Sequence, residues 1–158
     1  MISLRAAVLA IVLTTVLATP AFADLTAFVG ANTVPVNRPV KGLAIGLGML
    51  VAFEFEFAET QEDRDEDAPA LRTGTASALI QPPLAVSGVQ PYLAFGFGLF
   101  RERLNQVEEN GVALTSGGGL KVKLIGPLRL RLDYRAFRLR GARHSPTHRI
   151  YAGMNLAF

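Results

Sequence analysis

The most acidic segment of the chain places six carboxylates within nine residues, at positions 59 to 67. They are Glu59, Glu62, Asp63, Asp65, Glu66 and Asp67. Carboxylate oxygens are the ligands that Ca²⁺ and Mg²⁺ prefer, but the spacing here fixes no coordination geometry, and the turn glycine of an EF-hand loop is absent. We therefore interpret 59–67 as a solvated, mobile loop and predict no metal site.

A second polar segment, near the C-terminus, contains both histidines of the chain, His144 and His148, together with Ser145. A serine nucleophile needs a base within hydrogen-bond reach and a third group that orients this base. Neighbouring His and Ser residues on one loop do not supply that arrangement by spacing. We predict a polar loop here and no catalytic site.

The composition excludes several other kinds of site. The chain has no Cys, which excludes disulfides, thiol nucleophiles and Cys-ligated metals. A formal net charge of +3 over 158 residues is too small to indicate nucleic acid as a partner. Gly117–Gly119 lies within a strand pattern and no helix follows it, so a bulge or close side-chain packing is a better interpretation than a phosphate-binding loop. We predict no cofactor.

The first 23 residues have the pattern of a secretory signal peptide. Arg5 precedes an apolar stretch from Ala6 to Ala18, Pro20 follows, and 21–23 read Ala-Phe-Ala. The apolar run is shorter than the roughly 20 residues that a membrane-spanning helix needs. We predict that 1–23 is cleaved during export through the inner membrane and that 24–158 is the mature domain.

The mature domain alternates apolar and polar residues with a period of two. Residues 127–140, PLRLRLDYRAFRLR, alternate leucine with charged residues, and residues 51–58 alternate phenylalanine with glutamate. Only a β-strand segregates such a pattern onto two faces. We predict eight strands, at Leu25–Asn32, Gly42–Leu50, 51–58, Leu71–Gln81, 91–100, 112–124, 127–140 and 148–158.

The connections between these strands alternate between short turns and longer polar loops. The four polar loops are predicted at 33–41, 59–70, 105–111 and 141–147. Strands of roughly 9–12 residues cross an outer membrane when tilted, and this loop asymmetry is typical of outer-membrane barrels. The predicted fold class is all-β, an eight-stranded antiparallel up-and-down transmembrane β-barrel.

Charged residues on the polar strand faces indicate which face points inward. In a membrane barrel they point into the lumen, where the third and seventh strands lie opposite each other, so that carboxylates face arginines. The predicted lumen charge network consists of Glu54, Glu56, Lys121, Lys123, Arg129, Arg131, Asp133 and Arg135. The alternative is a soluble periplasmic ligand-binding barrel, in which the faces are reversed and the apolar side chains line a cavity.

The C-terminal strand favours the membrane barrel. The chain ends at Phe158, and apolar residues precede it at alternating positions, namely Leu156, Met154, Ala152 and Ile150. In this feature, and in its strand and loop layout, the chain resembles the small eight-stranded outer-membrane barrels of the porin family, of the OmpA-transmembrane-domain and OmpX kind. The resemblance implies that the last strand is the signal read by the barrel assembly machinery.

The resemblance also sets the functional expectations. It implies a monomeric protein in contact with outer-membrane lipid and lipopolysaccharide, with a lumen filled by its own side chains. We expect a non-enzymatic structural or surface-interaction role. The enzymatic alternative is a lipid A-modifying barrel, since some eight-stranded barrels of this kind are lipid A deacylases or acyltransferases; it would require His144, Ser145 or His148 as catalytic residues.

Overall fold

A computed structural model describes residues 23–105, 107–142 and 145–158. The strands are β1 (Ala23–Asn32), β2 (Arg38–Gly48), β3 (Val51–Thr60), β4 (Ala70–Ile80), β5 (Val89–Leu104), β6 (Val107–Ile125), β7 (Leu128–Arg140) and β8 (Thr147–Ala157). Each pairs antiparallel with its sequence neighbours, and β1 pairs with β8. The predicted eight-stranded up-and-down barrel is therefore confirmed. The predicted signal peptide, 1–23, lies outside the described residues except for Ala23.

The two ends of the barrel differ in their connections. One end, called here the turn end, holds both termini of the barrel and the connections 49–50, 81–88 and 126–127. The other, called the loop end, holds the connections from β1 to β2, from β3 to β4, from β5 to β6 and from β7 to β8. Within the described ranges, no helix is long and apolar enough to cross a membrane.

Several strands extend further toward the loop end than predicted. β2 begins at Arg38, β5 continues to Leu104 and β6 begins at Val107, so 38–41 of the predicted loop 33–41 and 107–111 of the predicted loop 105–111 are strand. Alternation of the two faces continues in these extensions, since Arg101 and Arg103 are exposed while Glu102 and Leu104 are buried. Charged residues occur there on both faces, so the apolar pattern that predicted the strands disappears before the strands end.

The turn between β2 and β3 depends on one glycine. Gly48 has a φ of +128°, a conformation that residues with a Cβ atom rarely adopt. A Cβ at this position would also collide with the backbone of Val51 and Ala52. The backbone therefore reverses direction within Met49–Leu50, which places β3 directly beside β2.

The outer wall of the barrel is apolar. Phe53, Phe55 and Phe57 on β3 are 62%, 59% and 56% exposed, whereas the alternating Glu54 and Glu56 are buried. A soluble barrel would bury the phenylalanines and expose the glutamates. The observed orientation contradicts the soluble ligand-binding alternative and matches the apolar-out, polar-in alternation of membrane barrels.

The lumen is filled in layers. At the loop end, an apolar cluster is formed by Leu71, Phe100, Ala113, Phe137 and Leu139. Charged side chains fill the middle. Toward the turn end, Ala52, Leu79, Tyr92 and Ala94 form a second apolar cluster. The strand alternation thus produces a barrel with a packed interior.

Candidate functional site in the barrel lumen

A buried cluster of charged side chains occupies the middle of the lumen. β3 contributes Glu54 and Glu56, and β7 contributes Arg131, Asp133 and Arg135. β3 and β7 are four strands apart in a ring of eight, so their inward-facing side chains meet across the bore. All five residues are at most 4% exposed.

Arg131 uses its whole guanidinium group in this cluster. Its Nη1 and Nη2 atoms donate to the two carboxylate oxygens of Glu54, with Nη2 at 3.1 Å from Oε1. Its Nη2 also donates to Asp133 Oδ2 at 2.9 Å, and its Nε donates to the hydroxyl oxygen of Tyr92 at 2.7 Å. The Tyr92 hydroxyl in turn donates to Asp133. Paired guanidinium–carboxylate contacts of this kind are strong and directional.

Arg135 lies four residues after Arg131 on β7, nearer the loop end, and contacts the same carboxylates. Its Nε donates to Asp133 Oδ1 at 3.0 Å, and its Nη2 donates to Glu54 Oε1 at 2.6 Å. Its Nη1 lies 3.8 Å from Glu56 Oε2. The two arginines of β7 therefore bracket Asp133 and share Glu54.

A third arginine belongs to the network and was missed by the sequence interpretation. Arg149 on β8 is fully buried, and its Nη1 donates to Glu56 Oε1 at 2.7 Å. Its Nε donates to Asn32 Oδ1 at 3.1 Å, and the Tyr151 hydroxyl donates to Glu56 Oε2 at 3.1 Å. Arg149 and Tyr151 alternate with the outward-facing apolar residues of the last strand. The same alternation therefore indicates that both face the lumen, and Arg149 could have been predicted from it.

Charge within the central network is balanced. The cations are Arg131, Arg135 and Arg149, and the anions are Glu54, Glu56 and Asp133. An unpaired charge in such an interior would be costly, whereas each of these has partners of the opposite sign. The network joins β3, β7 and β8.

The remaining predicted members lie nearer the turn end. Lys121 is buried, and its Nζ is 2.6 Å from Asp24 Oδ2. Arg129 is half-buried and donates to Gln90 Oε1 at 3.1 Å. The side chain of Lys123 is exposed instead of buried in the lumen. The last pair between β5 and β6 is Val89 with Val122, so Lys123 lies beyond the end of β5, where the bore opens.

Among the described residues near the C-terminus, Ser145 and His148 do not form the arrangement that a nucleophile needs. Ser145 Oγ accepts a hydrogen bond from the backbone amide of Leu139 at 3.0 Å. His148 faces the outer wall, where its Nδ1 lies 2.8 Å from the hydroxyl of Tyr134 and its ring stacks on the tyrosine ring. His144 lies outside the described residues.

Of the acidic segment 59–67, Glu59 lies in β3, and the loop that begins at 61 folds back on itself. Asp63 and Ala68 exchange two backbone hydrogen bonds of 2.8 Å, and Asp63 Oδ1 accepts from the amide of Asp65 at 3.2 Å. Glu62 Oε1 accepts from the amide of Asn105 at 3.1 Å, which connects this loop to the β5–β6 hairpin. That hydrogen bond lowers the pKa of Glu62 from its ordinary value. Across the described ranges, no group of three or more His, Cys, Asp or Glu side chains is arranged to hold a metal ion.

The predicted assembly residues all belong to the outer wall. Ile150, Met154, Leu156 and Phe158 are between 43% and 67% exposed, and Ala152 is also exposed. β8 pairs with β7 on one side and with β1 on the other, so this strand closes the barrel.

Comparisons with known proteins identify the fold. No protein-family model matches the chain. No curated protein sequence matches it either. Among solved structures, the N-terminal β-barrel domain of Pseudomonas aeruginosa OprF is similar, with a TM-score of 0.67 and 16% identity over 87% of this chain and 97% of that chain.

Two further solved structures share the architecture. Neisserial surface protein A has a TM-score of 0.68 and 14% identity, over 89% of this chain and 98% of that chain. The outer membrane enzyme PagL is more distant, with a TM-score of 0.54 and 10% identity, over 84% of this chain and 98% of that chain. The protein therefore has the fold of the small eight-stranded outer-membrane β-barrel proteins.

Proposed function

We propose that this protein is a monomeric, non-enzymatic outer-membrane barrel with a structural or surface-interaction role. The observation that carries the proposal is the combination of an apolar outer wall with a bore occupied by a balanced charge network. An apolar wall of Phe and Leu side chains is stable against lipid, whereas water would disfavour it. The OprF and NspA barrels, which share the fold, support the outer-membrane location.

The packed lumen argues against a pore. Arg131, Arg135 and Arg149 are fully buried and connect opposite walls of the barrel. The apolar cluster of Phe100, Phe137 and their neighbours lies between this network and the loop end. An eight-stranded barrel is just wide enough for its own side chains to fill it.

The hydrogen bonding of the C-terminal polar residues argues against a lipid A-modifying enzyme. Ser145 Oγ accepts from a backbone amide, and His148 Nδ1 contacts Tyr134. A base–nucleophile pair would instead bring the imidazole within hydrogen-bond reach of the serine hydroxyl. The fold shared with PagL is compatible with either role, since one fold supports different functions.

Gel mobility of the fractionated envelope is the first test. A closed barrel that resists SDS runs faster unboiled than boiled, and we expect this shift in the outer-membrane fraction. Recovery of the protein in the periplasmic fraction, without a shift, would overturn the proposal.

Mass spectrometry of lipid A tests the non-enzymatic role. Cells expressing the protein should show the same acylation and phosphorylation pattern as cells expressing the variant His144→Ala, Ser145→Ala, His148→Ala. A lipid A species present only with the unsubstituted protein would identify an enzyme.

A further inference from the structure

An apolar groove runs along β4 on the outer wall of the barrel. The outward-facing residues in the middle of β4 are small, and the residues beside them on β3 and β5 are large. Strand register places them in three rows, which are Phe57–Gly74–Leu99, Phe55–Ala76–Phe97 and Phe53–Ala78–Phe95. We call this feature the β4 groove.

The β4 groove is open, and its length is close to the thickness of one leaflet. Phe55 and Phe97, which form its walls, are 59% and 65% exposed. A Cβ atom added to Gly74 would meet nothing within 4 Å. The distance from Gly74 to Ala78 along the strand is about 13 Å, close to half of the roughly 25 Å apolar band of an outer-membrane barrel.

Arginines cluster at the loop end of the β4 groove. The next row across the strands is Glu59–Arg72–Arg101, and Arg103 follows on β5. Arg72 donates to Glu59 Oε1 from Nε at 3.0 Å and from Nη2 at 2.8 Å, yet its side chain remains 56% exposed.

The charges of neighbouring outward-facing residues leave this cluster positive. Arg101 Nε donates to Asn110 Oδ1 at 3.1 Å, a neutral partner. Arg103 lies opposite Glu108 in the register. Lys41 lies opposite Glu59 in the register, so four cations on the outward strand faces, Lys41, Arg72, Arg101 and Arg103, stand against the carboxylates of Glu59 and Glu108. The loop carboxylate Glu62 is near Arg103 and also pairs with Arg64 at 3.4 Å, so it adds no net negative charge. The surplus positive charge lies next to an apolar channel, which suits an amphiphile with an anionic head.

We propose that the β4 groove binds one lipopolysaccharide molecule, with an acyl chain between the two aromatic walls and a lipid A phosphate at Arg72, Arg101 and Arg103. This inference rests on the proposed outer-membrane location, which places the loop end in the outer leaflet. Guanidinium groups bind phosphate through paired hydrogen bonds, and an acyl chain packs against exposed Phe and Leu side chains. Lipid A carries both groups on one molecule.

A second shallow region of the outer wall lacks the charged end. Ala27 on β1 and Ala152 on β8 are small outward-facing residues, and Leu43 and Met154 lie beside Ala27. The cation nearest to this region in the register is Lys41, opposite Val29. This region therefore serves as a matched control, because it presents apolar surface without an arginine cluster.

Native mass spectrometry of the full chain purified in detergent tests the proposal, with bisphosphorylated lipid A as the probe. We expect one lipid A to remain bound to the unsubstituted protein. The variant Arg72→Gln, Arg101→Gln should weaken retention by about ten-fold or more, because each basic residue near an anionic headgroup contributes to binding. The control variant Arg138→Gln, Arg140→Gln removes two outward-facing arginines from the loop end of β7 and should retain lipid A as the unsubstituted protein does.

A second pair of variants tests the acyl-chain part of the site. Gly74→Leu, Ala76→Leu fills the β4 groove, and Ala27→Leu, Ala152→Leu fills the control region. Only the first should weaken lipid A retention. Dephosphorylated lipid A should bind equally to the unsubstituted protein and to Arg72→Gln, Arg101→Gln, since the difference between these proteins is the phosphate contact.

Three outcomes would overturn the inference. The first is that the β7 control variant weakens lipid A retention as much as Arg72→Gln, Arg101→Gln does. The second is that the protein retains phosphatidylglycerol as well as it retains lipid A. The third is that the protein forms a dimer that Gly74→Leu, Ala76→Leu dissociates. Each variant is first shown to be a folded barrel by the boiled-against-unboiled gel shift. The inference can thus fail while the gel shift and the lipid A pattern still support the proposed function. Failure of the proposed function itself would be seen as recovery of the protein in the periplasmic fraction.

Discussion

Arg131 and Glu54 form a two-pronged ion pair across the bore, from β7 to β3. Both side chains are at most 1% exposed, and Arg135 contacts the same carboxylate. The pair connects opposite walls of the barrel, so each strand holds the other in position. Removal of one partner leaves a buried charge uncompensated, which is more costly than the pair itself is stabilising.

The first prediction concerns the carboxylate of Glu54. Glu54→Gln should lower the free energy of unfolding by about 3 kcal/mol or more, because Arg131 and Arg135 both lose their shared anion. Urea unfolding in lipid vesicles measures the change. The chain has no Trp, so circular dichroism is the suitable probe.

Glu59→Gln is the matched control for Glu54→Gln. Glu59 pairs with the exposed Arg72 on the outer wall, and exposed pairs contribute less than about 1 kcal/mol. Equal destabilisation by the two substitutions would contradict the central role of the lumen network.

The second prediction concerns the Tyr92 hydroxyl. It accepts from Arg131 Nε at 2.7 Å and donates to Asp133, so Tyr92→Phe removes a link between two charged groups without changing the ring. We expect a loss of about 1–3 kcal/mol, since both partners stay buried. Tyr134→Phe, which removes an outward-facing hydroxyl, should have little effect in the same unfolding experiment.

The fold followed from the sequence because the alternation of β3 and β7 is almost undisturbed. Phe53, Phe55 and Phe57 alternate with two glutamates, and every one of the five lies on the predicted face. The ends of β5 and β6 could not be predicted in this way, because Arg101 and Arg103 are charged yet face outward. At the loop end of a membrane barrel the outer face is polar too, and the period of two is no longer visible in hydropathy.

The membership of the lumen network was harder to predict than the fold. Arg149 follows from the same alternation as Ile150 and Met154, but only if both faces of β8 are considered. Lys123 lies on the strand face that was predicted, but beyond the end of the bore, because the register between β5 and β6 determines where the bore ends. Strand pattern determines which way a residue faces, whereas register determines which residues meet.

The third prediction concerns two glycines on opposite faces of the wall. A Cβ atom on Gly119 would collide with the Tyr92 hydroxyl and with the Leu132 carbonyl, whereas a Cβ on Gly74 would meet nothing within 4 Å. Gly119→Ala should therefore destabilise the barrel by about 1–3 kcal/mol, the typical cost of overpacking. Gly74→Ala should be neutral in parallel unfolding curves, and a neutral Gly119→Ala would show that the lumen has spare volume.

The fourth prediction is a pH dependence in the loops. The amide of Asn105 donates to Glu62, which lowers the pKa of this carboxyl below its ordinary value. A lowered pKa in the folded state means that the contact stabilises the folded loops above the unfolded pKa and is lost as pH falls through the folded pKa. The amide chemical shift of Asn105 in an NMR titration should report a midpoint below that of an unperturbed glutamate. The variant Glu62→Gln should abolish this acid transition, and its persistence would assign the transition to another carboxylate.

The fifth prediction is that several layers of side chains close the bore, so that removing one or two of them opens no channel. The apolar cluster with Phe100 and Phe137 lies at the loop end, and the charge network follows it toward the turn end. The Arg149 Cζ atom lies 4.5 Å from the Phe137 ring centroid. Arg149→Ala alone and Phe100→Ala, Phe137→Ala together should each leave planar-bilayer conductance at the low level of the unsubstituted barrel. The triple variant should stay at that level too, because Arg131 and Arg135 still reach Glu54 across the bore and the apolar cluster with Tyr92 still lies toward the turn end. The outward-facing variant Phe95→Ala, Phe97→Ala controls for general loosening of the wall, and conductance in Arg149→Ala alone would show that the apolar layer does not seal the barrel.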